Sequence, residues 1–166
     1  MEPVVFKSTV DKRNRIITLI VMASLVAAML LFWFTTPAHT AARYFPSAVM
    51  LLICIGTPVI IYGNLPRWIE VTPEAIVLRC PFRDKIIPRD AKTEVRRVRD
   101  TDVQNLLRSW GADGIFGKYG LFASKRYSRM HFYAKRSKRD WILVKNAAKV
   151  YVIAPDDGEG FLKLFR

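Results

Sequence analysis

The sequence predicts a two-helix membrane hairpin followed by a mainly-β domain, and three observations carry that reading. Two long runs near the N-terminus contain no charged residue. Most of the charge is gathered after them. The charged half is written in short, β-branched stretches separated by proline- and glycine-containing breaks.

The 166-residue chain combines a formal charge of +13 with a mean hydropathy above zero, although a quarter of its residues are charged. Segregation explains the pairing. Residues 64–166 hold 22 Lys and Arg against 12 Asp and Glu, so +10 of the +13 lies there. Cys54 and Cys80 fall in different halves and lack metal-site spacing, so we expect two small buried hydrophobes and no disulfide framework.

Residues 1–15 form a basic segment carrying Lys7, Lys12, Arg13 and Arg15. "IITLIVMASLVAAMLLFWF", residues 16–34, then runs about the length a helix needs to cross the hydrocarbon core. Phe32, Trp33 and Phe34 close it as an interfacial belt would. A small domain could hardly cover every face of such a helix. A cleaved signal peptide fits less well, because its apolar core is normally shorter and Phe-Trp-Phe is a poor approach to a small-residue cleavage site.

A second span is expected at about residues 46–63, with Pro46 in its first turn and Gly56 and Pro58 loosening it. Residues 16–63 thus make one hairpin. Its outer flanks carry Lys7, Lys12, Arg13 and Arg15 on one side and Arg67, Arg79, Arg83 and Lys85 on the other, against Arg43 and His39 between the spans. The positive-inside rule then predicts a multi-pass protein with both termini cytoplasmic. His39 and His131 fall on opposite sides of the membrane and cannot share a metal.

Residues 64–166 read as a cytoplasmic β domain. "RWIEV", "AIVLRC" and "DKIIP" are strands broken by "TPE" and "PFR", and "EVRRV" is a candidate fourth. In "KRYSRMHFYAKRSKRDW", Met130, Phe132 and Ala134 alternate with Arg129, His131, Tyr133 and Lys135, the period of a strand with one wet face. "DWILVK" and "KVYVIAP" follow around the turn "NAA", which leaves Arg136–Arg139 in a hairpin loop before Trp141. In "PDDGEGFLKLFR", Asp156 or Asp157 caps a short helix, Asp156 and Glu159 have capping-box spacing, and Phe161, Leu162, Leu164 and Phe165 pack it on the sheet.

Three stretches, "GADGIFGKYGLF", "YSRMHFYA" and "VYVIAPDDGEGF", in that order behind two spans, resemble membrane proteins carrying a bacterial PH (pleckstrin-homology-like) domain. The resemblance implies a PH-like fold, a bent antiparallel barrel capped by a C-terminal helix, in a bacterial inner (cytoplasmic) membrane protein. It marks Gly111, Gly114, Gly117, Gly120, Pro155, Asp156 and Asp157 as structural positions. Lys118, within the glycine-aromatic run, and the glycines after Asp157 depart from the family pattern.

No phosphate-cradling loop, metal cluster or nucleophilic triad is legible, so we expect no enzyme, no catalytic or metal residue and no cofactor. Without a base-stacking motif, and with a headgroup layer nearby, nucleic acid is not an expected partner. The expected partners are the lipid bilayer, a protein or a second copy of the chain, and an anionic phospholipid. Two readings of Lys125, Arg126, Arg129, Arg136, Lys138 and Arg139 follow. A protein-docking or scaffolding module should show an apolar patch beside these bases. A headgroup sensor should bring them to one pocket.

Overall fold

The computed structural model describes residues 3–36 and 44–165. Two apolar helices, α1 (Lys12–Thr35) and α2 (Tyr44–Asn64), pack side by side. α1 starts where the Asp11 carboxylate accepts a hydrogen bond from the Asn14 amide at 2.9 Å, which satisfies one of the donors a helix start leaves open. α2 carries Pro46 in its first turn and continues through Pro58. Both helices are long and apolar enough to cross a bilayer. Only 6% and 11% of the residues in their most apolar windows are buried, whereas a core helix would be mostly covered. The connecting loop with His39 and Arg43 lies outside the described residues.

Ten strands in two sheets make up most of the remaining described structure. The first sheet has the order β1 (Val4–Lys7), β2 (Trp68–Val71), β3 (Ala75–Arg79), β4 (Lys85–Pro88), antiparallel throughout. Its first strand is a correction to the sequence reading, which left the N-terminal segment as a basic tail. Val4 through Lys7 pair with Val71 through Trp68. The strand is four residues long and its partner lies beyond both helices, so no local pattern marks it. The helical hairpin is consequently an insertion between two neighbouring strands of one sheet.

The second sheet contains β5 (Glu94–Arg97), β6 (Leu107–Asp113), β7 (Lys118–Ala123), β8 (Met130–Ala134), β9 (Ile142–Lys145) and β10 (Val150–Ile153). Their order is β5-β9-β10-β8-β7-β6. All pairs are antiparallel except β8 and β10, which run parallel. The mainly antiparallel β domain is as expected, with this one parallel pair added to it, and one expectation is corrected: Arg136–Arg139 do not occupy a hairpin loop. β10 folds back from β9 and inserts between β9 and β8, so the segment after β8 stays at one end of the sheet and bridges the place that β10 fills.

The core lies between the sheets. Ile69, Val71, Ile76, Leu78 and Ile87 of the first sheet meet Ile142, Val144 and Ile153 of the second. The short helix α3 (Gly158–Lys163) inserts Phe161 and Leu162 among them, with the Phe161 ring 5.3 Å from that of Phe6. Each such side chain contributes about 1.5–3 kcal/mol by leaving water. Asp157 alone caps α3, accepting from the Gly160 amide at 2.8 Å, while Asp156 binds elsewhere. Phe122, Phe132, Leu143 and Val152 fill a second cluster, packed against Val98, Val103 and Leu106. These three residues belong to the segment that leads from β5, at one edge of the sheet, to β6 at the other. β9 and β10 thus contribute to both clusters.

The predicted alternation in β8 is present, but its supposed wet face is not wet. Tyr133 is half-buried and Lys135 buried, because α2 and the first sheet pack over them, while His131 is half-buried beside Tyr151 at the other end of the strand.

Candidate functional site

The two ends of β8 define the geography of the domain. At its finish, the Lys135 carbonyl accepts a hydrogen bond from Asn14 Nδ2 in the first turn of α1, at 2.9 Å. The turn between β6 and β7 meets the same helix, where the Phe116 amide donates to Thr18 Oγ1 at 2.8 Å. Ile61 and Leu65, at the end of α2, pack on Tyr119 of β7. This end adjoins the helices. The other end, with Met130, Val150 and Lys145 in register, is a strand length away, roughly 16 Å at 3.3 Å per residue.

The six predicted bases divide between these ends. Lys125, Arg126 and Arg129 lie at the distal end, where Arg126, Arg129, His131, Lys145 and Lys149 line a groove of about 400 Å³. Burial, and the positive charges of Lys149 and Arg129, hold the His131 imidazole below its ordinary pKa. Arg136, Lys138 and Arg139 follow β8 at the near end. Most of the near-end group is engaged in structure. Arg136 pairs with Asp140 at 2.8 Å and Asp156 at 3.3 Å, Lys138 pairs with Asp100 at 2.6 Å, and the Arg139 carbonyl accepts from Arg97. The six bases therefore do not converge on one pocket.

Among the described residues, no carboxylate lies within ion-pair distance of Lys125, Arg129, Lys145, Lys149 or Arg108 of β6. β6 is an edge strand, paired with β7 alone, and it begins at the distal end. Its Leu107 is 70% exposed and its Trp110 is 62% exposed, on either side of a register shift. An apolar patch thus adjoins uncompensated bases along an open strand edge. The sequence reading passed over β6, because Gly111 and the irregular alternation of "LRSWGAD" hide its period.

A second feature missed by the sequence reading is Asp102, fully buried in the segment that leads from β5 to β6. Its carboxylate accepts from Arg96 at 2.5 and 2.9 Å and from the Arg99 amide at 2.9 Å, and it pairs with Arg126 at 3.3 Å. The Arg96 guanidinium holds that carboxyl below the usual range despite its burial. Asp84 binds Arg79 at 2.5 Å and Asp140 binds Arg136. Asp90 instead caps its own turn and accepts from the Ala147 amide at 3.0 Å.

The glycines shape the β6–β7 hairpin. Gly111 and Gly120 face each other in register with φ of +116° and +117°, and Gly114 and Gly117 in the turn also have positive φ. A methyl group on Gly111 would land on the Tyr119 carbonyl oxygen, and one on Gly120 on that of Trp110.

Residues 67–166, 100 of the 166, match the family described as Bacterial PH domain. No curated protein and no solved structure matches the chain. With its two sheets, its closing helix and more than half of its length matched, the chain belongs to the bacterial PH domain family, here preceded by two apolar helices able to span a membrane.

Proposed function

We propose that the protein is a non-enzymatic docking module, held at the inner leaflet by its helical hairpin, whose β6 edge receives an extended acidic segment of a partner protein. One observation carries the reading: β6 is an open edge with Leu107 and Trp110 exposed, beside bases that have no carboxylate within ion-pair distance among the described residues. Strand addition supplies main-chain hydrogen bonds to the unpaired edge, while alternate side chains fill the apolar patch. The uncompensated bases at the distal end favour an acidic partner strand and speed its encounter. The flanking bases of the two helices support a cytoplasmic domain. Headgroup sensing by the six bases has less support, since they are divided between the two ends of β8.

The test is site-specific photo-crosslinking in cells, with the probe at position 107 or 110 and, as a control, at exposed Ile86 on β4, an edge strand of the first sheet. A discrete protein adduct from β6 that is absent from position 86 and lost on Arg108→Glu is the expected result. Equal adducts from both edges, or none from β6, would overturn the proposal.

A further inference from the structure

A cavity of about 370 Å³ lies where the first turns of α1 and the end of α2 meet the first sheet and the finish of β8. Three bases line it: Arg15 of α1, Arg67 just before β2, and Lys135 just after β8. Leu19 and Phe116 form part of an apolar wall, and Tyr62 stands beside the bases, its ring 5.4 Å from the Lys135 ammonium and 5.6 Å from the Arg67 guanidinium. The volume is within the range of small-ligand sites, roughly 300–1,000 Å³.

Lys135 is the anomaly. It is 4% exposed, yet beyond the Tyr62 ring its ammonium has a single long hydrogen bond among the described residues, 3.5 Å to the Ser8 carbonyl. No carboxylate among the described residues lies within ion-pair distance of it, or of Arg15 or Arg67. Several bases on or beside the sheets are paired instead: Arg79 with Glu70, Arg96 with Asp102, Arg97 with Glu159, Arg136 with Asp140. A buried charge without a partner is costly, and neighbouring like charges add to the cost. The cavity thus gathers positive charge that the protein itself leaves uncompensated.

We infer that this junction binds the phosphate group of an anion, with Lys135, Arg67 and Arg15 as its cationic ligands. A phosphate offers several acceptor oxygens to a guanidinium fork and an ammonium at once, which a single carboxylate cannot match. The position supports a lipid phosphate in particular. The cavity adjoins the ends of both helices, at headgroup depth when they span a bilayer, and its apolar wall continues onto the lipid-facing side of α1 through Leu19, which is 63% exposed. Basic pockets at such depths take anionic headgroups. Free inorganic phosphate presents the same chemistry. The site is separate from the β6 edge, and neither proposal depends on the other.

Native mass spectrometry of the full chain in neutral detergent tests it, with phosphatidylglycerol and inorganic phosphate titrated separately and then in competition. The expected result is one tightly held phosphatidylglycerol per chain, its affinity lowered at least tenfold by Lys135→Met and by Arg67→Gln, and unchanged by Lys149→Gln at the distal end. Displacement of that lipid by millimolar phosphate would assign the site to phosphate from either source, and resistance would assign it to lipid. Arg67→Gln keeps the test decisive should Lys135→Met misfold. Wild-type affinity in both variants, or no occupancy by either probe, would overturn the inference.

Discussion

Thr9 is bound to Asp156 through both its backbone and its side chain: the amide donates to the carboxylate at 2.9 Å, and the hydroxyl lies 3.0 Å from each of its oxygens. The Asp156 amide in turn donates to the Lys7 carbonyl at 2.8 Å. The link between β1 and α1 is thereby fastened to the link between β10 and α3. Because the hairpin is inserted between β1 and β2, this clasp fixes where the first helix leaves the domain, while Leu65 and Ile61 fix where the second returns.

Removing the clasp should loosen β1 selectively. Asp156→Ala deletes the acceptor for Thr9 and for Arg136, a loss of about 1–3 kcal/mol. Faster amide exchange at Phe6 and Lys7, with β9 and β10 unchanged, is the expected signature. Asp157→Ala removes only a helix cap, about 1 kcal/mol, and its effect should remain within α3. Exchange measured by mass spectrometry on the two variants separates these roles, and identical patterns would refute the distinction.

The facing pair Gly111 and Gly120 should tolerate no side chain. Both lie at positive φ, and at each the obstacle is a carbonyl of the opposite strand, which cannot swing aside. Backbone strain of about 1–3 kcal/mol is expected from Gly111→Ala or Gly120→Ala, with the steric clash adding to it. Thermal unfolding of each full-length variant in detergent should show a lower Tm, whereas Gly56→Ala, which meets nothing nearby, should leave it unchanged or raise it.

Asp102 should behave as a buried, paired charge. Asp102→Ala leaves Arg96 without its main partner and is expected to cost about 3–5 kcal/mol, while a combined Arg96→Met, Asp102→Leu replacement should cost far less. The pH dependence has a definite sign. Since the folded state holds this carboxyl below its ordinary value of 3.8, its stabilisation is present above about pH 4 and is lost as pH falls through the lower folded value. Acid unfolding of the Asp102→Asn variant should show a weaker fall in stability over that interval.

The two apolar helices were legible because twenty-odd uncharged residues admit few other structures, the alternation in β8 because Met130, Phe132 and Ala134 keep a local period, and the closing helix because Asp157 and the apolar Phe161 and Leu162 lie within one short stretch. What escaped was set by partners distant in sequence. β1 is a strand only because β2 lies beside it, and the parallel pairing of β8 with β10 depends on where β10 inserts. The sorting of the six bases into paired and unpaired groups required the positions of Asp100, Asp102 and Asp156, which no spacing discloses. Lys135 shows the limit most plainly. It occupies a charged place in an alternating strand, and only the packing of the helices over that face turns it from a solvated base into a buried one.

That burial has a measurable consequence. Desolvation lowers the Lys135 ammonium to about 8 from 10.5; Arg67 works in the same direction, and Cys80 and Asp156 oppose it. Arg15 also faces the cavity, and so does Tyr62. The folded state therefore binds fewer protons than the unfolded chain between about pH 8 and 10.5, so stability should rise with pH across that window. Below about pH 8 the cost of the buried charge is fully present, roughly 2 kcal/mol at the usual 1.4 kcal/mol per unit with some allowance for solvent screening. Delipidated protein in neutral detergent should accordingly gain Tm between pH 7.5 and 9.5 relative to Lys135→Met, whose charge-free side chain lacks this contribution. Adding phosphatidylglycerol should reduce the difference, because an anion beside the ammonium restores the charged form. A wild-type pH profile parallel to that of Lys135→Met in delipidated protein would show that the ammonium is hydrated in the folded state.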